Sequence, residues 1–407
     1  MQFVRALFSS MNSILRIFLL IALLGVPVWA QRGSSIGDVV VGIDKNTVLI
    51  RVSANTSELN DLALQAFASH GRYKLVASGQ AFDIKFTAAG ATKVRVDITK
   101  GAAATPVASE VVTGTSARNA LLRAADVAVV KTNGVGLKGF FASKVAFIRD
   151  QGRVKEVCVA DLFFGEAKQI THDKALALMP RWSPDGTKII YTSFYKSGFP
   201  DIFLLDVASG RHETFVSFRG TNQGARFSPN GQQVAMVLSG EGTPEIYLSN
   251  GQGRQVARKT RSDAVKSSPC FSPDGGRLVF TMEPGPQLYL MSTAGGAPQR
   301  LVTGFRYAAE PDWSRGNPQK IACTVRVDGG KYQIAVYDFA AGKAEVVSKA
   351  SFDGVEPSWL PDGRHLVYTA RDRNSSVLSI LDTETGNSRR ISVGSLGPVA
   401  QASVLAQ

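Results

Sequence analysis

The stretch "PRWSPDGTKIIYTS", Pro180 to Ser193, decides the fold because it returns further down the chain. "RFSPNGQQVAMVLS" begins at Arg226, "CFSPDGGRLVFTM" at Cys270, "DWSRGNPQKIACTV" at Asp312 and "SWLPDGRHLVYTA" at Ser358. The aromatic before each turn falls at Trp182, Phe227, Phe271, Trp313 and Trp359, in steps of 45, 44, 42 and 46 residues. Within the turn, Ser suits the first position, Pro fixes φ at the second, and Gly accepts the left-handed conformation after Asp. The motif therefore joins two antiparallel strands. Alternating apolar residues follow, such as Ile189 and Tyr191 or Leu278 and Phe280, then a second strand such as "DIFLLDV" (Asp201 to Val207) or "QLYLMST" (Gln287 to Thr293). A short polar turn and a last strand close the unit.

Four short strands in a unit of this length, repeated in tandem, are the signature of propeller blades. The recurring aromatic is then packing between adjacent blades; a ladder for stacking a ligand is the less economical reading, since large aromatics dominate core energetics. Five units carry their own inner strand. Ahead of them, "KVAFIRD" (Lys144 to Asp150), "VKEVCVADL" (Val154 to Leu162) and "AKQITHD" (Ala167 to Asp173) look like three outer strands of a further unit that lacks its inner one. After the last unit, "GSLGPVAQASVLAQ" offers one strand. The two fragments complete each other, which predicts a six-bladed propeller whose C-terminal strand closes the first blade and protects its edges.

The N-terminus sets the compartment. Arg16 precedes an apolar run from Ile17 to Val26, and Val28-Trp29-Ala30 is a small-residue cleavage site, so residues 1–30 read as a secretory signal with either Met1 or Met11 as its start. The run is shorter than the roughly 20 residues a membrane span needs. Cys158, Cys270 and Cys323 show neither pairing nor metal-ligand spacing and read as buried single thiols. A formal net charge of +13 without a Lys/Arg run suits acidic envelope surroundings better than a nucleic-acid groove.

Residues 31–135 have a different texture. "TVLIRVS" (Thr47 to Ser53) reads as a strand and Ser57 to Gly71 as a helix, with Ser57 as its cap and Gly71 as its stop signal. "YKLVAS", "FDIKFTA", "KVRVDIT" and "ASEVVTG" alternate as strands, and Ser116 to Lys131 reads as a closing helix. The glycine-rich "NGVGLKG" from Asn133 then links to residues 136–407. The expected fold is mainly β: a six-bladed β-propeller preceded by a small N-terminal α+β domain.

A signal peptide, this α+β domain, the junction "GLKGFFASKVAFI" (Gly136 to Ile148) and six blades of W-S-P-D-G type together resemble the TolB family, the periplasmic propellers of the Tol-Pal envelope system. The α+β portion departs from the family pattern in lacking a helix between Ser78 and Phe82, and the segment after the signal differs from the family's TolA-binding stretch. The resemblance implies a non-enzymatic, monomeric periplasmic scaffold, peripheral to the outer membrane and without a cofactor. Its implied partner at the propeller is the peptidoglycan-associated lipoprotein Pal, with TolA engaged through the N-terminal part, in support of envelope integrity, cell division and protein import. Aligning on the turns carries the family's Pal-linked positions onto Thr221 and Gly224, before Phe227, and Ser267, before Phe271.

An accessory propeller of a peptide- or carbohydrate-processing system remains the alternative, although no room is left for a catalytic domain. A propeller lyase would need a metal or base cluster in its channel. "GVGLKG" (Gly134 to Gly139) satisfies G-x-G-x-x-G but follows a helix and precedes a strand, the reverse of a dinucleotide site. "GSSIG" (Gly33 to Gly37) satisfies G-x-S-x-G but lies beside the cleavage site rather than in a strand-to-helix elbow. His70, His172, His212 and His365 are scattered without metal spacing and read as surface or loop histidines.

Overall fold

The computed structural model describes residues 36–406, so the signal-peptide reading lies outside the described residues. Among these no helix is long and apolar enough to cross a membrane.

The first elements are β1 (Val48–Ala54), α1 (Ser57–Ala68), β2 (Tyr73–Leu75), β3 (Phe82–Gly90), β4 (Lys93–Lys100), β5 (Ala108–Thr113) and α2 (Ala117–Thr132). They form one sheet in the order β2-β1-β3-β4-β5, parallel at β1 and antiparallel from β3 to β5. Leu59, Leu62, Ala63, Ala66 and Phe67 of α1 and Leu121, Ala125, Ala128 and Val129 of α2 are buried in one cluster with Ile50, Ile84, Phe86 and Val96 of the sheet. Helical spacing on the helices and period two on the strands produce this face.

Two details of α1 differ from the sequence reading. Its N-cap is Thr56, whose side chain accepts the Leu59 N–H, while Ser57 is already helical. Gly71 is not its stop signal, since the helix ends at Ala68 with Ser69 as C-cap. Gly71 is instead a point of close approach, because a Cβ there would sit 1.7 Å from the Asp382 carboxylate. Ser116 caps α2 by accepting from the Asn119 N–H at 3.1 Å.

The rest of the described chain forms six four-stranded antiparallel sheets. The motif's turn works as its chemistry dictates. Gly186 has φ +70° and donates to Ser183 O at 3.0 Å, and Ser183 Oγ in turn donates to Asp185 Oδ1 at 2.5 Å and accepts from the Lys188 N–H at 2.9 Å. Blades two to six have inner strands Ala177–Trp182, Asn222–Phe227, Lys266–Phe271, Ala308–Trp313 and Asp353–Trp359. The inner strand of blade one is Val399–Leu405, which pairs antiparallel with Lys144–Asp150 from Val399 opposite Arg149 to Leu405 opposite Lys144. The ring is closed as the two sequence fragments predicted.

The conserved place of the aromatic has a direct consequence here. Buried Trp182 donates its indole N–H to Ser403 O at 3.0 Å, and buried Trp359 donates to Asp312 O at 2.9 Å, each bond crossing to the preceding inner strand. Trp313 bonds within its own turn, to Pro318 O at 2.8 Å. The three cysteines are free and buried, as read from sequence.

Candidate functional site

Each inner strand breaks register once, between residues that would otherwise face its neighbour. The residue at the break has positive φ in all six: Met179, Gly224, Ser268, Glu310, Glu356 and Gln401. Four are followed by Pro and two by Ala. A left-handed residue in a bulge turns the strand and re-aims a side chain. These six residues together line one cavity of ≈ 60 Å³ on the axis of the ring.

Hydrogen bonds tie the bulges together around the ring. Thr192, Thr281, Thr324 and Thr369 hold equivalent places on second strands, and their hydroxyls accept the N–H of Gly224, Glu310, Glu356 and Gln401 in the following inner strand, at 3.0–3.3 Å. Thr324 also donates to Glu310 and Thr369 to Glu356, at 2.7 and 2.8 Å. Gln401 donates to Glu356 at 3.1 Å and accepts from the Met179 N–H at 2.8 Å. Burial and the neighbouring Glu356 carboxylate push the Glu310 carboxyl above the usual carboxylate range. The sequence did carry a signal for this ring, a threonine at one place in four repeats and a residue-Pro pair two positions ahead of the aromatic, but strand alternation alone gives it no meaning.

Two residues further along, the inner strands present Arg181, Arg226, Cys270, Asp312, Ser358 and Ser403, which line the opposite, turn-side mouth. There the side chains catch the next blade: Ser403 Oγ accepts from Trp182 N, Cys270 Sγ from Trp313 N, and Asp312 Oδ2 from Trp359 N. Arg226 reaches across the ring to pair with Asp312, two blades away.

Of the three residues carried over by alignment, Thr221 and Ser267 precede the bulge and Gly224 belongs to it, all half-buried. Thr221 is in the crossing between blades, with its N–H on Ser239 Oγ at 2.8 Å. Gly224 and Ser267 are not in crossings but inside inner strands, Gly224 at the bulge itself with φ +63° and Ser267 paired with Thr281. The bulge adds a residue to the strand, so a position counted back from the aromatic falls within it.

The histidine reading needs a larger correction. His70 and His365 are not surface residues: both are 0 % exposed, their rings 4.5 Å apart where the α+β region meets blade six. His365 Nδ1 lies 2.6 Å from Asp362 Oδ2, and its Nε2 accepts from the Gly71 N–H at 3.2 Å. His70 stacks on Phe140, and its Nδ1 accepts from Arg72 N at 3.3 Å. His212 is also partly buried, 2.7 Å from the Tyr191 hydroxyl.

The class this defines is a six-bladed propeller with an α+β region on its turn side and a layered polar channel. Residues 134–403 match the family described as the TolB beta propeller domain, and the chain belongs to that family. Among curated relatives, the Tol-Pal system protein TolB of Bordetella pertussis is 30% identical over 164 residues, which cover 40% of this chain and 37% of the relative. The protein of the same name from Bordetella parapertussis matches to the same extent, so the aligned stretch spans little over a third of these relatives' own length. Among solved structures, TolB from Acinetobacter baumannii superposes with a TM-score of 0.80 at 23% identity, covering 91% of this chain and 99% of that one. A nidogen/laminin complex gives 0.54 at 13% identity, over 64% of this chain and 98% of that one, and shares the fold alone.

Proposed function

We propose that this protein is a non-enzymatic periplasmic scaffold of a Tol-Pal system, whose propeller binds the peptidoglycan-associated lipoprotein Pal at the entry-side mouth of its channel. The observation that supports this most is the ring of bulges, which sets six residues around one cavity and ties five of them to neighbouring blades through hydrogen bonds. A mouth held this rigidly loses little conformational freedom when a protein segment docks on it, which favours affinity. Thr221, Gly224 and Ser267 are the contact residues in this reading, and the α+β region or the segment before it engages TolA.

Isothermal titration with a purified soluble Pal domain tests it. Five of the six bulge positions already carry side chains at positive φ, so the ring tolerates Gly224→Trp at a strain cost of about 1–3 kcal/mol, and a Cβ there faces Met179 and Pro269. Gly224→Trp and Ser267→Arg are both expected to fold, Gly224→Trp with a lowered melting temperature from its positive φ, and each to weaken Pal binding by about 1 kcal/mol or more. Wild-type affinity in both folded variants removes this mouth as the binding face.

A further inference from the structure

The opposite mouth of the channel has the reverse electrostatic character. Its cavity, ≈ 250 Å³, is walled by the repeat turns and by the guanidinium-bearing residues Arg181, Arg226 and Arg315 from blades two, three and five. That is room for several waters at about 30 Å³ each. The one carboxylate in the wall, Asp312, is already committed: one oxygen pairs with Arg226 and the other accepts the Trp359 N–H at 2.7 Å. Arg181 has no acidic partner among the described residues, and its guanidinium reaches only the carbonyl of Pro180 at 3.0 Å. Arg315 is exposed at the rim and makes no hydrogen bond or ion pair among them, and Lys138 stands on the same rim.

We propose that this turn-side mouth is an oxyanion site, in which Arg181, Arg226 and Arg315 converge on a tetrahedral phosphate-type group. The chemistry follows from the donors. A guanidinium is a fixed fork that matches oxyanions two bonds at a time. One or two forks saturate a planar carboxylate, whereas forks arriving from three blades suit an ion with oxygens on several sides. Unbound, the wall holds three guanidinium groups and Lys138 against the one carboxylate of Asp312, and like charges at close range in a partly desolvated wall repel. Burial first, and the neighbouring Arg226 charge second, push Arg181 down to about 10 against the opposing pull of Asp312 and Glu356. This site lies on the turn side of the bulge layer, whose own cavity Arg181 and Arg226 also line.

The test is thermal unfolding of the full mature chain at fixed ionic strength, with inorganic phosphate, glycerol phosphate or acetate replacing chloride. Inorganic phosphate is expected to raise the melting temperature saturably, as a ligand of the native state does. Arg181→Gln is expected to melt no lower than wild type in chloride, since it removes a repelled charge, and to need about tenfold or more phosphate for the same shift. Arg315→Gln, at an exposed position with no partner to lose, is expected to weaken the response in the same direction and stands in if Arg181→Gln fails to fold. Equal responses to phosphate and glycerol phosphate assign the site to an esterified phosphate, and a response to phosphate alone assigns it to the free ion. No saturable response, a response to acetate as large as that to phosphate, or an unchanged response in both variants overturns the proposal.

Discussion

Between blades the contacts that recur around the ring are neutral, four threonine hydroxyls and two indole N–H groups meeting the neighbouring inner strand, with the carboxylates of Asp312 and Glu356 as charged additions. At the junction of the α+β region with blade six the contacts are charged and occur once. Buried Arg364 donates to both oxygens of Asp382 at 2.8 and 2.6 Å and to Asp44 at 2.8 Å, while Arg72 lies 3.4 Å from the same Asp44 and donates to Asn133 O at 3.0 and 2.9 Å. Ahead of β1 the chain also lies along blade six, where Val39 and Ser388 exchange backbone hydrogen bonds. Repetition lets a neutral contact be used many times at small individual gain. A single interface between unlike surfaces needs charges, whose loss leaves a buried partner uncompensated.

The comparison can be broken first at the ring itself. Deleting residues 399–407 leaves Lys144–Asp150 as an unpaired edge in a three-stranded blade and removes Ser403, the acceptor of Trp182. Loss of cooperative melting and of a monomeric elution peak is expected; a truncated chain that melts like the full one would show that the ring does not depend on closure. At the junction, Arg364→Ala strands Asp382 and Asp44 in a buried site and is expected to cost about 3–5 kcal/mol in denaturant unfolding. A loss under 1 kcal/mol would place the junction on the same footing as the blade contacts.

The junction also predicts a pH dependence of its own. Burial, with the neighbouring His365, Arg364 and Arg72, holds the His70 imidazole well below its ordinary value. A base depressed in the folded state stays neutral there while its unfolded counterpart takes up a proton, so its contribution is intact above about pH 6.5 and is lost as pH falls below it. Asp126, whose carboxylate accepts the N–H of Phe141 and Ala142 at 2.6 and 3.0 Å, is pushed up to about 7, chiefly by burial. Its contribution has the opposite sign, complete below about pH 4 and fading as pH rises through 7. Between these limits the two slopes oppose each other. His70→Leu is therefore expected to tilt the stability profile between about pH 4.5 and 6.5 by up to about 1.4 kcal/mol per pH unit, so that stability falls with rising pH relative to wild type. Parallel profiles for variant and wild type would remove His70 from the account.

The smallest effect belongs to one stitch of the ring. Thr369→Val removes the hydroxyl that accepts from Gln401 N and donates to Glu356, but Gln401 N keeps the Glu356 carboxylate as an acceptor at 3.2 Å. Blade three already places Val237 at the equivalent register. A loss of about 0.5–1.5 kcal/mol is expected from equilibrium unfolding; a loss as large as that of Arg364→Ala would make the ring cooperative rather than additive.

Blade number, closure and the elements of the α+β region were legible because each signal is local. A Ser-Pro-Asp-Gly turn carries its own conformation, and period two or 3.6 marks a buried face within a dozen residues. Four of the six bulges were half-visible, as a residue-Pro pair ahead of the aromatic, but strand periodicity treats an added residue as noise. What the sequence could not convey was which one-off residues meet. Gly71 and His365 stand 294 positions apart, and no repeat, spacing or composition connects them. Histidines that look scattered along the chain became one buried pair, a glycine that looked like a helix stop became the point of closest approach to Asp382, and arginines from three repeats came to share one mouth. The sequence determined the ring because a repeat states its geometry again in every copy. Tertiary structure alone decided the junction and the charge of each mouth, because those depend on which non-equivalent side chains closure of the ring brings face to face.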